Sequence, residues 1–250
     1  MSLDITQQIN DWPYEPGQIN VRLISGDDGR SKIQMRVDLG ILQMETEGRP
    51  DGVRPEGYES LLEMHEDRLD AHLAEHGNDD EFTLDAETCR LLRDEAVQYY
   101  HRYISLLVLE DYEGVVRDTS RNLRLLDFCA TYSDSDQDRA MLEQFRPYLV
   151  MMRARALAGQ ALEAGEAKAA MAALDDGLEQ IKAHFSEAGH DELFESASEA
   201  ALLREMRDSL APRLPISARD ELRKRLERAI MQENYELAAI LRDELKLTQE

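Results

Sequence analysis

The chain has 250 residues, 52 acidic against 29 basic, and a formal net charge of −23. That length holds one large domain or two smaller ones, each with a sizeable core. An evenly acidic surface of this strength repels phosphate backbones and anionic lipid, which disfavours nucleic acid and membranes as partners of the whole body.

Ala, Leu, Glu and Arg are abundant, which favours helix. Residues 1–18 carry Pro13, Pro16 and Gly17 and read as an irregular lead-in. The opening MSLDITQQINDW has neither the basic nor the apolar region of a leader, and no stretch approaches the roughly 18 apolar residues of a membrane span. A cytoplasmic location is expected. Ile19, Val21 and Leu23 then alternate with polar residues, a period-2 strand ending at Ser25. Gly26-Asp27-Asp28-Gly29-Arg30 is a turn. Ile33, Met35, Val37, Leu39 and Ile41 alternate in their turn and predict one second strand. The hairpin must pack on something or gain strands, because two strands alone are marginal in water. Gly48, Pro50, Gly52 and Pro55 punctuate a boundary, so residues 1–56 form a β-hairpin subdomain.

From Gly57 the pattern is helical. The spacing predicts helices over 58–76, 84–109, 112–128, 138–163, 166–187 and 191–210. Pro212 and Pro215 close this block, giving a helical domain over 57–215. Leu157, Ala158, Ala161, Ala170, Leu174 and Gly177 surround a Gly165-Glu166-Ala167 turn with the large-and-small pattern of a tetratricopeptide (TPR) hairpin. Tyr99, Leu106, Tyr112 and Val115 surround an earlier turn in similar fashion, where Arg102 and Tyr103 depart from the pattern. The two turns lie about 55 residues apart instead of the roughly 34 of tandem repeats. A TPR-like stack and an antiparallel helical bundle both satisfy this spacing. Cys89 and Cys129 cannot make a metal quartet by themselves and read as a reduced pair. The many carboxylates read as solvated helix faces.

Charge divides the chain. Residues 217–250 hold seven basic and eight acidic residues, so the tail is near −1 and the preceding body near −22. Within that tail, DELRKRLERAIMQENYELAAILRDELKL (220–247) resembles the UVR motif. This motif is named for the B and C subunits (UvrB/UvrC) of the bacterial excision-repair nuclease. It also occurs in the ATPase ClpC and in an activator of the protein-arginine kinase. Leu222, Leu226, Ala229, Tyr235, Glu236, Ala238, Ala239, Leu241, Arg242 and Asp243 carry the resemblance. Together with Ile230 and Leu245 the apolar members line two short helices, and alanine at their crossing permits close approach. A hairpin of about thirty residues buries little core alone. Its faces therefore seek another such hairpin, its own helical body or a different protein. The resemblance implies a protein-contact module over 216–250, with candidate partner-binding residues Leu222, Leu226, Ala229, Ile230, Tyr235, Ala238, Ala239, Leu241, Arg242 and Leu245.

Two other stretches invite chemistry. His72-Leu73-Ala74-Glu75-His76 fits the H-x-x-E-H zinc-hydrolase pattern, with His72 and His76 as metal ligands. Gly77 ends that helix at once, and the polar loop beyond offers no protected cleft. The segment 26–52 clusters Arg36, Asp38, Gln43, Arg49 and Asp51 among glycines, more polar than simple packing needs; it could offer a small-ligand site or a strand edge. No phosphate loop and no Ser/His/Asp or Cys/His arrangement is present. The expected protein is thus mainly α, with a small N-terminal β-hairpin, a TPR-like or bundle-like body and a C-terminal UVR-like hairpin. Its expected role is a non-enzymatic adaptor that needs no cofactor. An accessory factor of excision repair acting at DNA is the second reading. A zinc metallohydrolase using His72, Glu75 and His76 is the third.

Overall fold

A computed structural model describes residues 4–210, 226–228, 230 and 231. The chain divides into two compact units, Met1–Arg207 and Asp208–Glu250. The first unit holds a short helix α1 (Thr6–Asn10), an antiparallel sheet of β1 (Asn20–Ser25), β2 (Ser31–Val37) and β3 (Gly40–Glu45), and a run of helices. These helices are α2 (Leu61–His76), α3 (Ala86–Val108), α4 (Tyr112–Tyr132), α5 (Asp136–Glu143), α6 (Arg146–Glu163), α7 (Ala167–Glu187), α8 (Asp191–Ser196) and α9 (Ser198–Leu210), the last of which ends three residues beyond Arg207. The protein is mainly helical, with a small N-terminal sheet. None of the described helices is long and apolar enough to cross a membrane.

The sheet has three strands where the alternation from Ile33 to Ile41 predicts a single second strand. Val37 pairs with Gly40, Met35 with Leu42 and Ile33 with Met44, so the chain folds back across Asp38 and Leu39. A two-residue turn shifts the phase of the pleat by one residue. The apolar face therefore continues through Leu42 and Met44, and Leu39 sits at the turn, 87% exposed. Arg36 fastens this turn. Its guanidinium donates to the carbonyl oxygens of Val37, Asp38 (3.1 Å) and Gly40 (3.0 Å), and to Trp12 O at 2.7 Å.

Helix starts follow their capping chemistry. Ser60, Asp85, Asp111 and Ser135 each accept a backbone N–H from three residues ahead, as N-cap side chains do. Two predicted helices are each broken in two. The stretch 138–163 divides around residues 144–145 because Pro147, in the first turn of α6, has no N–H to continue an upstream helix. The stretch 191–210 divides at Ala197, whose backbone is extended.

Helix α3 packs on α4, α4 on α6 and α6 on α7. Small residues allow the closest crossings. A Cβ built on Gly159 of α6 would lie 2.7 Å from the Tyr112 ring of α4, and one on Gly177 of α7 would lie 2.6 Å from Ala154 Cβ. Ala154, Ala156, Ala158, Ala170, Leu174 and Ile181 are buried along these seams.

The sheet end of the unit is held differently. Arg102 of α3, 1% exposed, donates to both carboxylate oxygens of Asp118 on α4 at 2.6 and 2.8 Å, and to Glu45 O at 3.2 Å. Arg117 bridges the same Asp118 (3.0 Å) to Thr46 O (3.0 Å). Glu95 of α3 accepts from Leu61 N at 2.8 Å and Leu62 N at 3.4 Å, the first amides of α2, and from Arg121 of α4. Arg49, after β3, lies 3.5 Å from Glu95 and 3.1 Å from Asp51. The Tyr99 ring has a guanidinium on it from either side of the network, Arg121 at 4.2 Å and Arg102 at 4.9 Å. This network corrects the reading of the carboxylates as solvated faces for Glu95 and Asp118, both fully buried. A carboxylate enters the interior only when a guanidinium and donor amides replace its water.

Candidate interaction groove

Helices α3 and α6 both pack on α4, and between them lies an open groove of about 750 Å³. Its walls are Ala96, Val97, Tyr100 and Tyr103 of α3, Leu126 of α4, Met141 and Leu142 of α5, and Phe145, Tyr148 and Leu149 at the start of α6. The sequence builds the α3 wall by spacing. Leu92, Tyr99, Tyr103 and Leu106 point into the core, and Val97 and Tyr100 occupy the adjoining stripe one step round the helix. The Pro147 break then turns Phe145 and Tyr148 toward that stripe. Val97 (51%), Tyr100 (38%), Met141 (36%) and Phe145 (53%) remain exposed.

Three tyrosines gather at one end. The Tyr100 and Tyr103 rings stand edge to face, 5.6 Å apart at 89°, and the Tyr148 ring lies 6.2 Å from Tyr100. Burial raises the Tyr103 and Tyr148 phenols above their ordinary range, so both stay protonated donors. Two lining residues carry charge. Arg93 is neutralised by its ion pair with Asp138. Glu199 of α9 is half-buried and accepts the hydroxyl of its neighbour Ser198 at 3.0 Å, with no cation paired to it among the described residues.

A second, polar cleft of about 590 Å³ lies among α4, α6 and α7. Its two arginines are held by neighbours within it. Arg146 donates to Glu143 (2.6 and 2.7 Å) and Asp127 (2.7 Å), and Arg153 donates to Gln180 (2.8 Å). His184, which also lines it, is held below the ordinary histidine range by burial.

His72 and His76 stack, ring on ring, with centroids 4.2 Å apart and planes 19° from parallel. His72 Nε2 lies 2.9 Å from Asp80 O, and His76 Nδ1 lies 3.1 Å from His72 O. Carbonyl oxygens only accept, so both of these nitrogens carry the proton. The remaining lone pairs lie in the planes of two stacked rings, and no third His, Cys, Asp or Glu among the described residues joins them in a group that could hold an ion. Glu75 is exposed on the same turn, and Gly77 stops the helix in the left-handed conformation at φ 78°. Among the described residues no group of three or more His, Cys, Asp or Glu side chains could hold a metal ion.

The polar residues of 26–52 are largely used internally. Arg36 fastens its turn and Arg49 joins the buried network. Asp51 accepts from Gln98 at 3.1 Å and Val53 N at 2.9 Å. Gln43 accepts from Gln34 at 2.9 Å, and Asp38 gives its carbonyl to Arg36. Their polarity serves the attachment of the sheet.

Of the tail residues, Leu226 is half-buried and Ile230 is 52% exposed, both in helical conformation. Leu222, Ala229, Tyr235, Ala238, Ala239, Leu241, Arg242 and Leu245 lie outside the described residues, as does Glu236. No protein-family model, curated protein or solved structure matches the chain.

Sequence reasoning passed over the groove, although a signal was there. Tyr99, Tyr100 and Tyr103 crowd more aromatic surface onto α3 than one core stripe accommodates.

Proposed function

We propose that this protein is a non-enzymatic adaptor that binds other proteins through its helical body and through a C-terminal hairpin of the UVR kind. One observation carries the reading. The groove between α3 and α6 exposes Val97, Tyr100, Met141 and Phe145 side by side, and a contiguous apolar furrow rimmed by polar residues marks an interaction surface. Two features support it. The helices α3 and α4 form one hairpin and α6 and α7 another, with small residues at the second crossing, as a TPR-like body would have. The residues 220–247 resemble a motif that in the excinuclease subunits implies subunit contact, and the near-neutral tail can approach partners that a body near −22 repels.

The test is affinity capture from the native host with full-length protein and a 1–216 truncation as baits. Partners lost with the tail support the hairpin as a contact module. An unchanged partner set would sink that half of the proposal. Partners lost on substituting Phe145→Ser support the groove.

A further inference from the structure

Resting on the interaction reading, we infer that the groove between α3 and α6 takes an amphipathic α-helix from a partner protein, with a lysine or arginine of that helix seated among Tyr100, Tyr148 and Glu199.

The walls set the conformation of the occupant. They are helices, whose backbone amides and carbonyls already bond within themselves, so an extended strand would find no row of backbone partners there. A helix satisfies its own backbone and offers only side chains, which suits a furrow lined by Val97, Met141 and Phe145. Met141 adds an unbranched, polarizable surface that adapts to a partner's shape. A small molecule is a poorer occupant. Such ligands bury most of their surface, whereas Val97 and Phe145 are still more than half exposed.

The charge of the occupant follows from the lining. Arg93 is cancelled by Asp138, so Glu199 leaves the groove net negative. Glu199 stands on α9 among the lining of the groove that holds Tyr148. Tyr100 and Tyr148, whose rings lie 6.2 Å apart, share the lining with that carboxylate, and aromatic rings attract a cation electrostatically. The body near −22 repels an acidic helix before it docks.

Full-length protein would be titrated against fluorescein-labelled synthetic peptides in fluorescence anisotropy, at an ionic strength of about 0.15 M to screen diffuse attraction. The probe is an amphipathic helix with leucines spaced i, i+3, i+4 and i+7 and one central lysine. Its companions replace that lysine with norleucine or with glutamate. The lysine peptide should bind saturably, the norleucine peptide several-fold more weakly and the glutamate peptide weakest. Val97→Ser and Phe145→Ser should each weaken the lysine peptide about tenfold, a loss that corresponds to about 1.4 kcal/mol. Glu199→Gln should abolish the preference for lysine over norleucine while leaving norleucine binding unchanged. Thermal midpoints check that each variant is folded; if a groove variant is not, the Glu199 comparison decides alone. Equal binding of lysine and norleucine peptides to the wild type would overturn the inference. So would full-strength binding to folded Val97→Ser and Phe145→Ser, since the peptide would then rest on the acidic surface at large. Either result leaves tail-dependent capture of partners untouched, so the adaptor reading fails or stands by its own test.

Discussion

The two ends of the helical body are held by opposite means. Where α6 crosses α7, Gly177 and Ala154 let the backbones approach until there is no space for one more carbon. Apart from the Arg153–Gln180 hydrogen bond at its polar cleft, that seam is apolar, and its stability comes from burial and close packing. Where α3 and α4 meet the sheet, Arg102, Asp118, Glu95 and Arg121 are buried, and guanidinium–carboxylate pairs replace hydration. The first kind of seam tolerates any change that conserves volume. The second fails when a single partner is lost, because the remaining charge is stranded in a low dielectric. The charged seam also joins four pieces of chain far apart in sequence: the residues after β3, the start of α2, and the facing sides of α3 and α4. It therefore decides where the sheet sits on the helices, a task that non-directional apolar contact performs poorly.

The largest effect is expected at the charged seam. Glu95→Ala strands Arg121 and removes the acceptor for the first amides of α2, and should cost about 3–5 kcal/mol in denaturant unfolding. Asp118→Ala should match it. The double replacement Arg102→Met with Asp118→Leu should cost much less than Asp118→Ala, because no buried charge is left unpaired and the exposed Arg117 can turn to water; if the double variant is the worse of the two, the seam is not electrostatic in origin. At the apolar seam, Gly177→Val should cost about 1–3 kcal/mol by overpacking, readable as a lowered thermal midpoint. A smaller change separates the seams from their caps: Asp111→Ala should cost about 1 kcal/mol, the worth of one N-cap. Phe145→Ser, on the open groove, should leave stability within about 0.5 kcal/mol of wild type and act on partner binding alone.

Acid should probe the same contrast. Burial holds His65, His101 and His184 below the ordinary histidine pKa in the folded chain. Below about pH 6.5 the unfolded chain takes up protons that the folded chain refuses, so stability should fall as pH drops through that value. At the alkaline end, burial pushes the Cys129 thiol up to about 12 and raises Cys89. The unfolded thiols ionise first, so stability should also decline as pH rises above about 8.5. Both cysteines are fully buried, and their reaction with a thiol reagent should track global opening. Rapid labelling of the native protein would show instead that α3 and α4 part locally.

The sequence by itself determined the elements that depend on neighbours along the chain. Most helices of the body, the first β turn and the small residues of the α6–α7 crossing are local chemistry, written in periodicity and spacing; the Ser and Asp caps are local too, but they were read only from the structure. It could not place Pro147 as a break within an otherwise continuous pattern, nor see that the strand after Met35 turns back at Asp38, because Leu39 in the turn and Ile41 beyond it extend the apolar alternation along the chain although the turn puts Ile41 on the opposite face. Tertiary structure alone decided the charged seam and the groove. Glu95, Asp118, Arg102 and Arg121 are the residue types that water normally claims. Only the meeting of α3 with α4, at separations of 16 and 26 residues along the chain, supplies the opposite charges that let them be buried. The groove exists because α3 and α6 share α4 as a common support without filling the space between them, a distance that no linear pattern records.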